Sequence, residues 1–201
     1  TCKTADGTKD GTGKVIGDGS KNYRNGSGYV LSGPEYYTLF EGATGKALDT
    51  VEYAFPRGKV SDWGDNYGNR VDRFNGAVVY LDGQKPSAVS NRGYYTRMTV
   101  VAYDVVDKKL VVRWKYDSGN DAKKGYHNGN HNCMPADVDN DGKQELVLGS
   151  TCIDDNGKLL WCNNQGHGDA MHLGDFLPNR EGIELWMCHE QSPWGVSLID
   201  A

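Results

Sequence analysis

The chain has 201 residues, long enough for one sizeable core, with 27 glycines, 12 tyrosines and a mean hydropathy of -0.66; this composition points to short strands and many turns rather than helices. The net charge of -5, with aspartates gathered in turns and no basic stripe, argues against a nucleic-acid partner and for local cation binding. No apolar run reaches the roughly 18 residues of a membrane-crossing helix, so no span of that kind is expected.

From the amino terminus, Thr1 to Asp6 lack a signal-peptide pattern, which leaves a mature product or a piece of something longer. Three segments then share one pattern of apolar strand, acidic or glycine turn, lysine and apolar strand: 37–48, 100–114 and 150–161, each a two-stranded hairpin. A second repeated unit occupies 77–89, 135–147 and, in degenerate form, 172–185, with anchoring aspartates Asp82, Asp137 and Asp175 spaced 55 and 38 residues apart. Four short strands per unit at such a period is the signature of β-propeller blades with loop insertions. The phase places the missing half-units at the two ends, so residues 1–201 read as two to three blades of a partial propeller catalytic domain truncated at both ends. A small open sheet structure is the alternative. The five cysteines (Cys2, Cys133, Cys152, Cys162 and Cys188) match no CxxC metal pattern and read mostly as small buried residues, with a Cys152–Cys162 bridge left open.

Asp137, Asp139 and Asp141 alternate along one short loop, Gly142 permits its turn, and Glu145 follows as a further oxygen ligand. Such a set of hard oxygens selects Ca2+ over zinc or copper, and three carboxylates would repel without a cation. The plainer reading is a solvated acidic turn. In the third copy Asp175 and Glu184 remain but Leu177 stands where an acidic ligand would be expected, so any ion there is weaker or absent. His131, His167, His172 and His189 lie in or beside loops at equivalent ends of successive units, where propeller loops converge; His167 with Asp169 and His189 with Glu190 pair imidazole and carboxylate, for cation binding or proton transfer. Histidines held for structure alone are the competing reading. The HExxH pattern of zinc proteases is absent from the sequence. Arg70 and Arg92 sit in glycine-bracketed loops beside tyrosines, where a guanidinium can fork onto a substrate carboxylate; for Arg70, pairing with Asp72 or another loop carboxylate to hold a blade is the equal alternative.

Residues 2–8, 31–36, 67–74, 92–97, the Gly129-Asn130-His131-Asn132 turn and the 166–172 segment together resemble the bacterial rhamnogalacturonan lyases of polysaccharide lyase family eleven. The resemblance covers essentially the whole chain. It implies a secreted, calcium-rich, eight-bladed β-propeller, longer than this chain and monomeric, that cleaves the galacturonate–rhamnose backbone of pectic rhamnogalacturonan I by β-elimination. It further implies a groove calcium site of His131, His167, Asp169 and Glu190, with His131, His167, His172, His189, Arg70 and Arg92 as candidate sugar contacts. Imidazole is an unusual calcium ligand, so the carboxylates are the firmer part of that set. The family's proton-abstracting arginine and lysine fall on later blades, so this chain alone is expected to lack the base and to be inactive. Two other classes stay open: a non-catalytic calcium-binding module for carbohydrate binding or adhesion, and a glycoside hydrolase using Asp169 and Glu190.

Overall fold

A computed structural model describes the backbone of residues 2–4 and 8–201 and the side chains of 8–201. Most of the 2–8 motif and the Cys2 thiol lie outside the described residues. Among the described residues, fourteen strands form four antiparallel sheets, each connected strictly in chain order. The first sheet contains β1 (Cys2–Thr4), β2 (Glu35–Phe40) and β3 (Ala47–Glu52); the second, β4 (Phe74–Val79), β5 (Ser87–Arg92), β6 (Thr99–Val106) and β7 (Lys109–Asp117). The third is built from β8 (Met134–Ala136), β9 (Glu145–Val147), β10 (Thr151–Ile153) and β11 (Leu159–Cys162), and the fourth from β12 (Ala170–Gly174), β13 (Glu184–Cys188) and β14 (Val196–Asp200). Helix among the described residues is limited to single 3-10 turns at Val60–Trp63, Arg70–Asp72 and Ala122–Lys124. The all-β expectation is met, but the count is four sheets rather than two to three units, because three-residue β1 carries no strand pattern of its own and still completes a sheet with the 37–48 hairpin.

The middle strands explain how the sheets pack. Side chains alternate between the two faces of a strand, and in β6 Val100 and Ala102 join a cluster with Leu146, Leu148 and Ile153 of the third sheet, whereas Val101 and Tyr103 join Tyr37, Leu39 and Val51 of the first. In β9 Leu146 points back to the second sheet while Val147 packs with Met171, Leu185 and Met187 of the fourth. Each sheet is thus faced by its neighbour, and each fully buried Val or Leu contributes about 2 kcal/mol, well above an exposed ion pair.

Sequential antiparallel strands send alternate connections to opposite ends. One end of the stack collects the turns between first and second and between third and fourth strands: the acidic loops 80–86 and 137–144, and the hairpin turns 107–108 and 154–158. The other end collects the loops 93–98, 118–133, 163–169 and 189–195.

A buried ion cluster joins the first two sheets. Glu35, at the start of β2, accepts from Arg92 Nη1 at 2.6 Å and Nη2 at 2.8 Å, and from Arg57 Nη2 at 2.9 Å. Arg57 Nη1 also meets Asp72 at 2.9 Å, and Arg92 donates to the carbonyls of Val71 (2.8 Å) and Phe55 (3.0 Å). Both arginines and Glu35 are buried, so removing one partner leaves an uncompensated charge. Glu35→Ala is expected to destabilise the protein by about 4 kcal/mol, whereas Lys109→Ala, which removes an exposed partner of Asp49, is expected to cost less than about 1 kcal/mol. Urea denaturation of the two variants checks this; equal effects would contradict it.

Candidate functional site

The end that collects the long loops brings His131, His167 and Asp169 together, with one potential ligand atom from each lying within 4.8 Å of the others. Backbone contact builds this site. The loops entering β8 and β12 meet through a parallel bridge between Asn130 and Gly168, and the Gly168 amide donates to the Gly129 carbonyl at 3.3 Å. A Cβ on Gly129 would press into Tyr94, and one on Gly168 would collide with the Cys188 carbonyl. Glycine at both positions therefore follows from the closeness of the chains.

His167 is buried, and its Nδ1 lies 2.7 Å from the Gly129 carbonyl. A carbonyl only accepts, so Nδ1 carries the proton and Nε2 presents a lone pair. Nε2 is buried and has no hydrogen-bond partner, and burial holds the ring below the usual histidine pKa. His131 Nε2 lies 3.0 Å from the Tyr95 hydroxyl and 3.3 Å from Asp169 Oδ1. Tyr94 stacks on His167 with centroids 5.8 Å apart, and the Arg70 guanidinium sits 4.3 Å above the Tyr95 ring while Nη1 donates to the Gly64 carbonyl. Glu190 is exposed; its amide donates to the His167 carbonyl at 3.0 Å and its charge acts on the His167 ring. An inward-facing lone pair without a partner, beside an imidazole and carboxylates, fits a cation.

At the opposite end, Asp137, Asp139 and Glu145 form a second cluster, and Glu145 forms a third with Asp154 and Asp155 of the neighbouring hairpin turn. Glu145 is wholly buried; Oε2 accepts from the Val138 amide at 2.8 Å while Oε1 has no partner. Burial, then the charges of Asp139, Asp137 and Asp141, push its pKa up to about 7. Asp137 and Asp139 accept backbone amides across a loop in which Asn140 (φ 62°) and Gly142 (φ 85°) are left-handed. An orphaned buried oxygen among further carboxylates also fits a cation.

The other sheets contain chain-borne cations near the equivalent position. Ser87, paired with Val79 as Glu145 is with Ala136, donates to Asp104, and Arg113 reaches Asp104 and the Leu81 carbonyl, both at 3.4 Å. In the fourth sheet Glu184 accepts from the Phe176 and Leu177 amides and lies opposite Asp200, which pairs with Arg180.

Several expected site residues lie elsewhere. Arg92 is not a surface group: it is fully buried against Glu35. The arginines that pair with loop carboxylates are Arg57 and Arg92, and Arg70 stands over Tyr95 instead of pairing with Asp72. Asp141 turns away from Asp137 and Asp139 to bind Lys143 Nζ at 2.7 Å, and Lys143 also reaches Asp155 at 3.3 Å. His189 bonds Ser197 Oγ at 2.7 Å, joining the loop after β13 to β14, while His172 sits on the exposed face of β12 opposite Trp186. Cys133, Cys152, Cys162 and Cys188 are free thiols, and Cys152 pairs with Trp161, which puts Cys162 on the other face of the hairpin. Asp154 and Asp155 were absent from the expected ligand set; their signal was an acidic pair in the turn of the hairpin following the 137–145 loop.

Residues 1–201 match the family model described as rhamnogalacturonan lyase family 11, C-terminal domain. The chain is 52% identical over 202 residues to the rhamnogalacturonan exolyase YesX of Bacillus subtilis (strain 168), and 53% identical over 204 residues to the rhamnogalacturonan endolyase YesW of the same organism. Each match covers 99% of this chain and 33% of the relative, so the chain spans about a third of the length of these curated relatives. The crystal structure of exotype rhamnogalacturonan lyase YesX superposes with a TM-score of 0.93 at 52% identity over 98% of this chain and 33% of that one. The rhamnogalacturonan lyase PL11 of Bacillus licheniformis does so with 0.93 at 53% identity over 98% and 34%. A family model matched along the whole chain, with relatives above 50% identity, establishes that the chain belongs to rhamnogalacturonan lyase family 11.

Proposed function

We propose that this chain forms part of a secreted, monomeric, calcium-dependent β-propeller lyase that cleaves the galacturonate–rhamnose backbone of rhamnogalacturonan I by β-elimination. The observation that carries the reading is the His131–His167–Asp169 cluster, with the Nε2 lone pair of His167 buried and unpaired, in a chain whose relatives are named for this reaction. Four consecutive meanders faced by one another, with the first strands β4, β8 and β12 packed side by side, support the propeller.

In the elimination the C5 proton of galacturonate is removed, its electron pair forms the C4=C5 double bond, and the glycosidic oxygen leaves C4. A divalent cation bound at this site would supply positive charge for the uronate carboxylate as negative charge develops there. The chain supplies the frame. His131, His167 and Asp169 would hold the cation, with Glu190 contributing its charge from the adjoining loop; the Gly129 carbonyl fixes His167 with Nε2 inward, and Tyr95 and Arg70 wall the mouth. Arg70 is half-buried, so its guanidinium can also meet a carboxylate at the rim. Asp137, Asp139 and Glu145, with Asp154 and Asp155 on the other side of Glu145, would hold a second, structural calcium beside the turns of the third sheet.

With rhamnogalacturonan I as substrate, the full-length, calcium-loaded protein is expected to release products carrying the ultraviolet absorbance of an unsaturated uronate. His167→Ala should lower that rate on the order of 100-fold. Products without the chromophore would indicate hydrolysis and overturn the proposal. The structural cation has its own signature in stability. The pKa of Glu145 is raised from 4.5 to about 7 on folding, so the folded state holds the proton more tightly and stability falls as pH rises through that window. Chelated protein should therefore lose melting temperature as pH rises from about 4.5 to about 7, whereas calcium, by keeping the carboxylate ionised, should flatten the curve. Identical melting profiles with and without chelator would rule the second site out.

A further inference from the structure

Tyr95 stands against both histidines of the cluster. Its hydroxyl lies 3.0 Å from His131 Nε2, and its ring meets the His167 ring with centroids 4.5 Å apart. The residue is held from outside the cluster at two points: His127 Nδ1 donates to its carbonyl at 2.7 Å, and the Arg70 guanidinium covers the ring at 4.3 Å from the centroid. Arg70 is fixed in turn. Its amide donates to Asp65 Oδ2 at 2.7 Å and its Nη1 to the Gly64 carbonyl at 3.1 Å, and Gly64, with φ of 109°, has no room for a Cβ that would press on the Arg70 side chain at 3.0 Å. With backbone and ring both held, the freedom left to Tyr95 is rotation of its O–H bond.

That hydroxyl competes for the atom a cation needs. An imidazole nitrogen binds a cation through the single lone pair in its ring plane. His167 has one to give, since Nδ1 carries the proton and Nε2 has no partner. His131 differs. Its Nε2 is the nitrogen that faces Asp169, 3.3 Å from Oδ1, and is also the nitrogen bonded to Tyr95. If Tyr95 donates, the hydroxyl proton sits on the lone pair; if Nε2 donates, that nitrogen has no lone pair to give. In both tautomers a bond to Tyr95 and a bond to a cation exclude one another at Nε2. The two histidines therefore enter the site unequally, His167 with its lone pair presented and His131 already engaged.

We propose that Tyr95 is a positioning residue that holds His131 in the cation's stead and is displaced from Nε2 when the cation binds, so that its hydroxyl sets the cation concentration at which the site fills. The proposal rests on the cation reading of the cluster. Full-length protein stripped with chelator is titrated calorimetrically with Ca2+, and the binding that His167→Ala abolishes is assigned to the histidine cluster. Tyr95→Phe keeps the ring beneath Arg70 and removes only the hydroxyl. It should tighten binding at the cluster about fivefold, the net worth of one hydrogen bond, and leave the remaining Ca2+ binding unchanged; a packing defect would act in the opposite sense. In the wild type, Ca2+ should also produce a near-ultraviolet tyrosine difference spectrum as the hydroxyl changes partner, and Tyr95→Phe should lack it. A wild-type tyrosine spectrum indifferent to Ca2+, or equal or weaker binding at the cluster in Tyr95→Phe, would overturn the role of the hydroxyl and leave the cation reading standing. If His167→Ala removes no Ca2+ binding, the cation reading falls and the proposal falls with it.

Discussion

β9 and the first five residues of β6 have no solvent face, and much of the architecture follows from that constraint. β6 and β9 give alternate residues to sheets on either side, so their apolar surface is satisfied only when a sheet packs against each face. Short meanders stacked in this way leave two ends for the connections. The polar chemistry is divided accordingly, with histidines, tyrosines and amides on the long loops of one end and clustered carboxylates in the tight turns of the other.

Charge is handled differently at successive joints of the stack. Between the first two sheets the cation is in the chain: Arg57 and Arg92 neutralise buried Glu35 and, at the edge of the cluster, the more exposed Asp72. Near the turns of the second sheet Arg113 reaches toward Asp104, and beside those of the fourth Arg180 pairs with Asp200. In the third sheet Lys143 reaches only Asp141 and Asp155. Asp137, Asp139 and Glu145 are left facing one another, and the pKa of Glu145 rises as a consequence. Glu184 of the fourth sheet has the same buried, unpartnered Oε1, but Glu145 has Asp137 and Asp139 within reach of it, and it is that crowding, more than the count of aspartates, that supports an outside cation in this repeat.

What could be read from residue order was whatever local turn chemistry decides. The paired hairpins and the 137–145 loop were legible because Asn140, Gly142 and the apolar runs beside them act over a few residues. The His131 and His167 turns were legible as a pair, although the reason they meet, a backbone bridge between Asn130 and Gly168, carries no side-chain signal. Partner choice at long range was not legible. Whether Arg70 or Arg92 goes inward depends on Glu35, 57 positions from Arg92; His189 was diverted by Ser197, Asp141 by Lys143, and the Cys152–Cys162 pairing by a one-residue register. β1 escaped because three residues hold too little pattern to distinguish strand from loop.

The crowding at Gly129 and Gly168 also bears on how this surface could diversify. Main chain presses on main chain there, and even a methyl group would meet Tyr94 or the Cys188 carbonyl. The outline of the histidine site is therefore set by atoms that every amino acid shares, while the chemistry it presents is carried by side chains that project from it, those of Tyr95, His131 and Asp169 among them. A scaffold divided in this way can change what it presents by altering its lining alone.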